Sequence, residues 1–169
     1  PGNGLDGVVD ALNYLTASNK VNFGDNVPSF TDGTLNAAGK RVVVIGGGDT
    51  AMDCVRTAIR QGAKSVKCMY RRDRDNMPGS QREVKNAEEE GVIFEWLTTP
   101  QGFTSDSKNK NVVTLGVDDG PVKGVIGRKM RLGAPDATGR RVPEEIQNSD
   151  YNEPADMVIK ALGFDPEDL

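Results

Sequence analysis

Residues 41–54 read RVVVIGGGDTAMDC, and the rest of the chain is best understood outward from them. Arg41 to Ile45 is an unbroken apolar run of the kind that forms a parallel strand covered on both faces. Three glycines stop it. From Asp49 to Gln61, Ala51, Val55, Ala58 and Ile59 then recur on one helical face, and Gly62 supplies a stop. Ser65 to Tyr70 is a second strand.

Further along, Pro78-Gly79 breaks the chain, and Ser80-Gln-Arg-Glu83 reads as a capping box opening a helix that Gly91 ends. Val92 to Leu97 makes a third strand. This order predicts an α/β fold, a Rossmann-like doubly wound parallel sheet. After Pro100 the helical period disappears. Val112 to Val117, Val122 to Leu132 and Arg140 to Ile146 are strand-like and separated by turn signals, which predicts an antiparallel β-meander in place of a crossover helix. Met157 to Leu162 is apolar again and returns to the parallel sheet. Upstream, Val8, Leu12 and Leu15 predict a short amphipathic helix over Leu5 to Asn19, and residues 20–39 read as an irregular lead-in.

Composition narrows the function. The 21 Lys+Arg against 25 Asp+Glu give a net charge of −4, which disfavours nucleic acid as a partner. No apolar run approaches the roughly 20 residues that cross a bilayer, and nothing resembles a signal peptide, so no membrane partner and a cytoplasmic setting are expected. Cys54 and Cys68 are the 2 cysteines, without Cys-x-x-Cys spacing, so the chain alone offers no set of metal ligands, and both read as packed residues. There are 0 histidines, so the commonest general base is missing and no catalytic residue is assigned.

The glycine turn carries the first functional signal. Gly46-x-Gly48-x-x-Ala51 follows a strand and opens a helix, within a unit of about 30 residues that ends in a second strand. Gly46 allows a tight turn, Gly48 lets backbone N–H groups approach a pyrophosphate, and Ala51 lets helix and strand pack closely. The helix N-terminus adds unpaired donors and partial positive charge. Gly47 and Thr50 belong to the same turn. Asp49 has two readings: an N-terminal cap, or an acceptor for a ribose or nicotinamide group. The alternative for the whole turn is a glycine-rich strand–helix corner that holds nothing.

The second signal stands at the end of the second strand, about 20 residues past the glycines, where NAD- and FAD-binding sites place an acid for the ribose hydroxyls. This chain reads MYRRDRD there. A guanidinium fork matches a phosphate, and a 2′-phosphate is what distinguishes NADP from NAD. Arg71 and Arg72 are the first candidates for it, with Arg74 behind them; the alternative is a solvated charged loop in which Arg and Asp neutralise each other. Tyr70 could pack on an adenine or cover the core edge.

With these residues in view, the chain resembles the pyridine-nucleotide domain of the two-dinucleotide flavoproteins, in particular the small (β) subunit of bacterial glutamate synthase. VVVIGGGDTAMDCVRTAIRQGAKSV, YRRDRDNMPGSQREVKNAEEEGV, GAPDATGRR and ADMVIKALGFDP carry the resemblance. It implies that NADPH binds here and passes hydride to FAD on a flavin domain of the same polypeptide. Electrons then reach the glutamate synthase large (alpha) subunit through 4Fe-4S clusters that this chain cannot ligate. It assigns Gly46, Gly47, Gly48, Asp49 and Thr50 to the pyrophosphate turn, Arg71 and Arg72 to the 2′-phosphate, and Ala161 and Gly163 to a turn on the nicotinamide side.

The domain organisation expected is a lead-in helix and linker from a flavin domain over residues 1–39, the NADP(H)-binding domain over 40–163 with its meander at about 100–155, and a return to the flavin domain from 164. Such a piece binds cofactor and turns over nothing by itself. The alternatives are a non-catalytic nucleotide-binding or sensor module, and the NADPH domain of another flavoprotein such as a ferredoxin-NADP reductase.

Overall fold

The structure is a computed structural model that describes residues 5–76, 81–105 and 121–161. Its elements run β1 (Val8–Asp10), α1 (Ala11–Asn22), α2 (Pro28–Thr31), β2 (Arg41–Ile45), α3 (Asp49–Arg60), β3 (Ser65–Met69), a 3₁₀ turn (Arg74–Asn76), α4 (Gln81–Glu89), β4 (Ile93–Glu95), β5 (Thr98–Ser105), β6 (Val122–Pro135), β7 (Arg141–Glu145), β8 (Tyr151–Pro154) and β9 (Met157–Lys160). Five strands form a wholly parallel sheet in the order β1-β9-β2-β3-β4. The others form an antiparallel sheet in which β6 pairs with β5 and β8 along its first half and with β7 along its second.

The expected parallel sheet with an appended meander is thus what the chain builds, in three layers. Side chains alternate across a strand. Accordingly Val42 and Val44 of β2 enter the core shared with α1, α3 and α4, whereas Val43 and Ile45 enter the core shared with the meander. Burying each such side chain contributes about 1.5–3 kcal/mol, against about 1–2 kcal/mol for ordering one residue's backbone. A strand covered on one face alone would barely break even, so the meander is as necessary to β2 as the helices are.

The chain before Lys40 departs from the expected pattern. Val8 and Val9 are not helical: they pair with Val158 and Ile159 as an edge strand, and α1 begins only at Ala11. Leu12, expected inside, is 70% exposed, and Ala11, Tyr14 and Ala17 are buried instead. The β-branched pair takes the sheet edge that β9 leaves open, and this tertiary pairing overrides a weak local helical period. Gly7 (φ 92) makes the approach possible, because a Cβ there would meet the Asp156 carbonyl oxygen at 2.8 Å. The lead-in contains one short helix, α2, with Pro28 at its first turn.

The third strand is also shorter than expected. It ends at Glu95, and Leu97, at φ 51, turns the chain out of the parallel sheet into β5. β8 was not anticipated. The strand expected at Val112 to Val117 and the cap at Ser80 lie outside the described residues.

Arg41 and Asp156 tie the start of β2 to the start of β9. Asp156 accepts from the Arg41 backbone N–H at 2.9 Å and from its guanidinium at 2.9 and 3.0 Å. Hydrogen bonds from Arg41 hold this carboxyl down at about 2. Asp156→Asn should therefore cost about 1 kcal/mol of stability near neutral pH, the modest figure fitting a half-exposed pair. The depressed carboxyl stabilises above the ordinary carboxylate range and ceases to as pH falls toward 2. Denaturant titrations of parent and variant should accordingly converge across that acid window.

Candidate nucleotide-binding site

The site lies where the order of strand addition reverses. The chain leaves β2 for β3 on one side, while β9 flanks β2 on the other, and open α/β sheets bind ligands outside the carboxyl ends at such a point. Gly46, at φ 133, turns the chain sharply out of β2. Its N–H donates to the Met69 carbonyl at 3.0 Å, and its carbonyl accepts the buried Cys68 thiol at 3.2 Å. On the other side the Ala161 N–H donates to the Ile45 carbonyl at 2.8 Å, so Ala161 stands beside the glycine turn. Gly163, its expected companion, lies outside the described residues.

Each remaining residue of the turn has its own environment. A Cβ on Gly47 would lie 2.4 Å from the Tyr70 ring, so no side chain fits there. A Cβ on Gly48 would meet nothing within 4 Å, which leaves this face of the turn open to a ligand. Gly48 is itself the N-cap of α3, and no side chain caps the helix. The cap reading of Asp49 is therefore corrected. The turn runs one residue short of it, and Asp49 sits exposed within the first helical turn, with Thr50 exposed beside it. Ala51 is fully buried against the sheet.

The three arginines part company. Arg71 lines a cavity of about 240 Å³ together with Gly46, Gly47, Tyr70, Thr98 and Pro100. Arg72 is only 8% exposed and does not line it; the neighbouring Leu97 N–H donates to its carbonyl at 3.0 Å. Arg74 turns to α4, where its guanidinium pairs with Glu88 at 3.1 Å and its carbonyl accepts from Gln81 at 2.7 Å. Structure thus brings Gly46, Gly47 and Arg71 to one cavity and leaves Arg72 and Arg74 outside its lining.

Thr98, Thr99 and Pro100 escape a reading of the sequence. They come from the first meander strand, and only the folded pairing of the Thr98 N–H with the Tyr70 carbonyl, at 2.9 Å, brings them to the cavity. Tyr70 covers the core edge, one of its two readings, and it also borders the cavity. It is 8% exposed, and its ring stands edge-on to Trp96 with centroids 6.4 Å apart at 82°.

Among the described residues no group of metal-ligating side chains exists, and no helix is long and apolar enough to cross a membrane. Cys54 and Cys68 are both buried, and burial pushes both thiols up to about 12. Such thiols are inert as nucleophiles. A thiol-reactive disulfide reagent at pH 8 should therefore titrate almost no thiol in the native chain and both after denaturation.

A family model described as pyridine nucleotide-disulphide oxidoreductase matches residues 2–169. The chain is 62% identical over 169 residues to the glutamate synthase (NADPH) small chain of Azospirillum brasilense, covering 100% of this chain and 32% of that protein. It is 48% identical over 166 residues to that of Escherichia coli K12, again 32% of the relative's length. The chain therefore spans about a third of the curated relatives it matches. Among solved structures, FprA of Mycobacterium tuberculosis in complex with NADPH superposes at TM-score 0.69 with 16% identity, covering 96% of this chain and 46% of that one. At that identity the likeness concerns the fold alone.

Proposed function

Because the chain belongs to the pyridine nucleotide-disulphide oxidoreductase family, we propose that it is the NADPH-binding domain of a flavin-dependent oxidoreductase of the glutamate synthase small-subunit type. The observation that carries the choice of nucleotide is Arg71, which shares one cavity with Gly46 and Gly47 where an acid would serve NAD. The likeness to the small chains of glutamate synthase supports the wider assignment.

The residues present fit such a cofactor. Gly48 leaves its side of the turn clear, and the uncapped N-terminus of α3 offers backbone donors and partial positive charge to a diphosphate. Arg71 supplies the fork for a 2′-phosphate, with Arg72 behind it as a charge withdrawn from water. Asp49 and Thr50 stand exposed on the first turn of α3, free to take hydroxyl or amide groups of the cofactor. Ala161, beside the glycine turn, borders the nicotinamide side. Arg74 contributes through the loop: its pairing with Glu88 anchors the arginine segment to α4.

The bound cofactor supplies a hydride, and the chain's own work is to hold and orient it and to discriminate between phosphorylated and unphosphorylated ribose. In this reading the hydride acceptor would be FAD on a flavin domain of the same polypeptide, and electrons would pass on through 4Fe-4S clusters outside this chain to the glutamate synthase large subunit, in the cytoplasm. Among the described residues no group of metal-ligating side chains could hold such a cluster. The chain alone binds and does not turn over.

Calorimetric titration of the chain with NADPH and NADH tests this reading. A charge-assisted hydrogen bond contributes about 1.5–3 kcal/mol, so NADPH should bind more than tenfold tighter. Arg71→Ala should remove most of that preference by weakening NADPH, with NADH nearly unchanged. Equal affinities in the parent chain would defeat the assignment.

A further inference from the structure

The glycine turn has no side chains with which to anchor itself, and three successive glycines give its backbone more freedom than any other residue would. Something else must hold its N–H groups in place. We infer that Tyr70 is a positioning residue for the turn: its ring, backed by Trp96 and Phe94, props Gly47 and so sets affinity for the diphosphate that NADPH and NADH share. The inference rests on the nucleotide-binding reading and deepens it.

Three observations carry it. First, the Tyr70 ring lies so close that a Cβ on Gly47 would approach Cε2, Cδ2 and Cζ at 2.4, 2.5 and 2.9 Å. Gly47 does not adopt a left-handed conformation, unlike Gly46, so the lack of room beside the ring is what excludes a side chain there. Second, the ring is itself held. Trp96 meets it edge-on, and Trp96 stacks on Phe94 with centroids 4.9 Å apart at 8°. These rings form a wall running from the β4 end of the sheet to the turn. Third, the Tyr70 backbone is clamped on both sides, donating to the Glu95 carbonyl at 3.0 Å and accepting from the Thr98 N–H at 2.9 Å. A rigid aromatic body between a fixed strand end and a backbone of successive glycines is a means of preorganisation, which lowers the ordering cost of binding.

This role differs in kind from that of Arg71. A fork on the 2′-phosphate affects one nucleotide, whereas a prop under the diphosphate turn affects both equally. Titration of NADPH and NADH into the full chain separates them. Tyr70→Leu should weaken both nucleotides by about tenfold and by the same factor, because it loosens donors common to both. Tyr70→Phe, which keeps the ring, should restore both to within about threefold of the parent. Gly47→Ala attacks the same contact from the other side and should reproduce the uniform loss; it carries the test if Tyr70→Leu does not fold.

A folded Tyr70→Leu chain with unchanged affinities would overturn the inference and leave the nucleotide assignment standing. So would a loss confined to NADPH, or a Phe variant as weak as the Leu variant. Failure of the parent chain to bind either nucleotide would instead bring down the parent reading, and this one with it.

Discussion

The site depends on the level finish of three neighbouring parallel strands. Ile45 stands opposite Met69 on one side and Lys160 on the other, so β2, β3 and β9 reach the rim together. One further hydrogen bond on each side, from Gly46 to Met69 and from Ala161 to Ile45, carries the ladder past the last strand residue. Within that short distance the chain must stop pairing, turn, and begin a helix. The glycines let it do so, and the aligned rim ensures that Gly46, Tyr70 and Ala161 emerge side by side.

The meander contributes more than cover. Between it and the parallel sheet lies a polar cluster: Lys67 of β3 pairs with Glu153 of β8, and the Tyr151 hydroxyl donates to Glu95 at 2.7 Å. Burial, then the neighbouring Glu153, raises the Glu95 carboxyl, and burial likewise raises the Tyr151 hydroxyl. Groups so placed are costly unless partnered, which makes alternative registers of β8 expensive. A Cβ on Gly127 would collide with the Tyr151 ring at 2.8 Å, so this packing also fixes which residue of β6 lies beneath it. The register sets the course of the first meander strand, and with it the place of Thr98 and Pro100 at the cavity.

How much could be read beforehand follows the distance over which each feature is decided. The β2–α3–β3 unit and its glycine turn were legible because strand run, glycines and helical period are contiguous in residues 41–69. The helical misreading of Val8 and Val9 arose because their partners are Val158 and Ile159, at the far end of the domain. The adjacent arginines shared one expectation, yet only Arg71 reaches the cavity lining, and no local pattern distinguishes it from Arg72. The packing of Tyr70 against Gly47 and Trp96 escapes a local reading because the strand end separates these partners in sequence. Of the two readings of Asp49, the cap misses by a single residue, a typical margin for helix ends.

The pairing of β1 with β9 bears on how a ribosome must make this domain. β9 lies between β1 and β2, so until residue 160 has emerged the sheet exists as a lone three-residue ribbon and a separate β2-β3-β4 trio. That trio presents the open flank of β2, whose Val42 to Ile45 are all apolar, and bare strand flanks invite pairing with other chains. The nascent polypeptide therefore carries this sticky border until β9, the last of the described strands in chain order, has emerged.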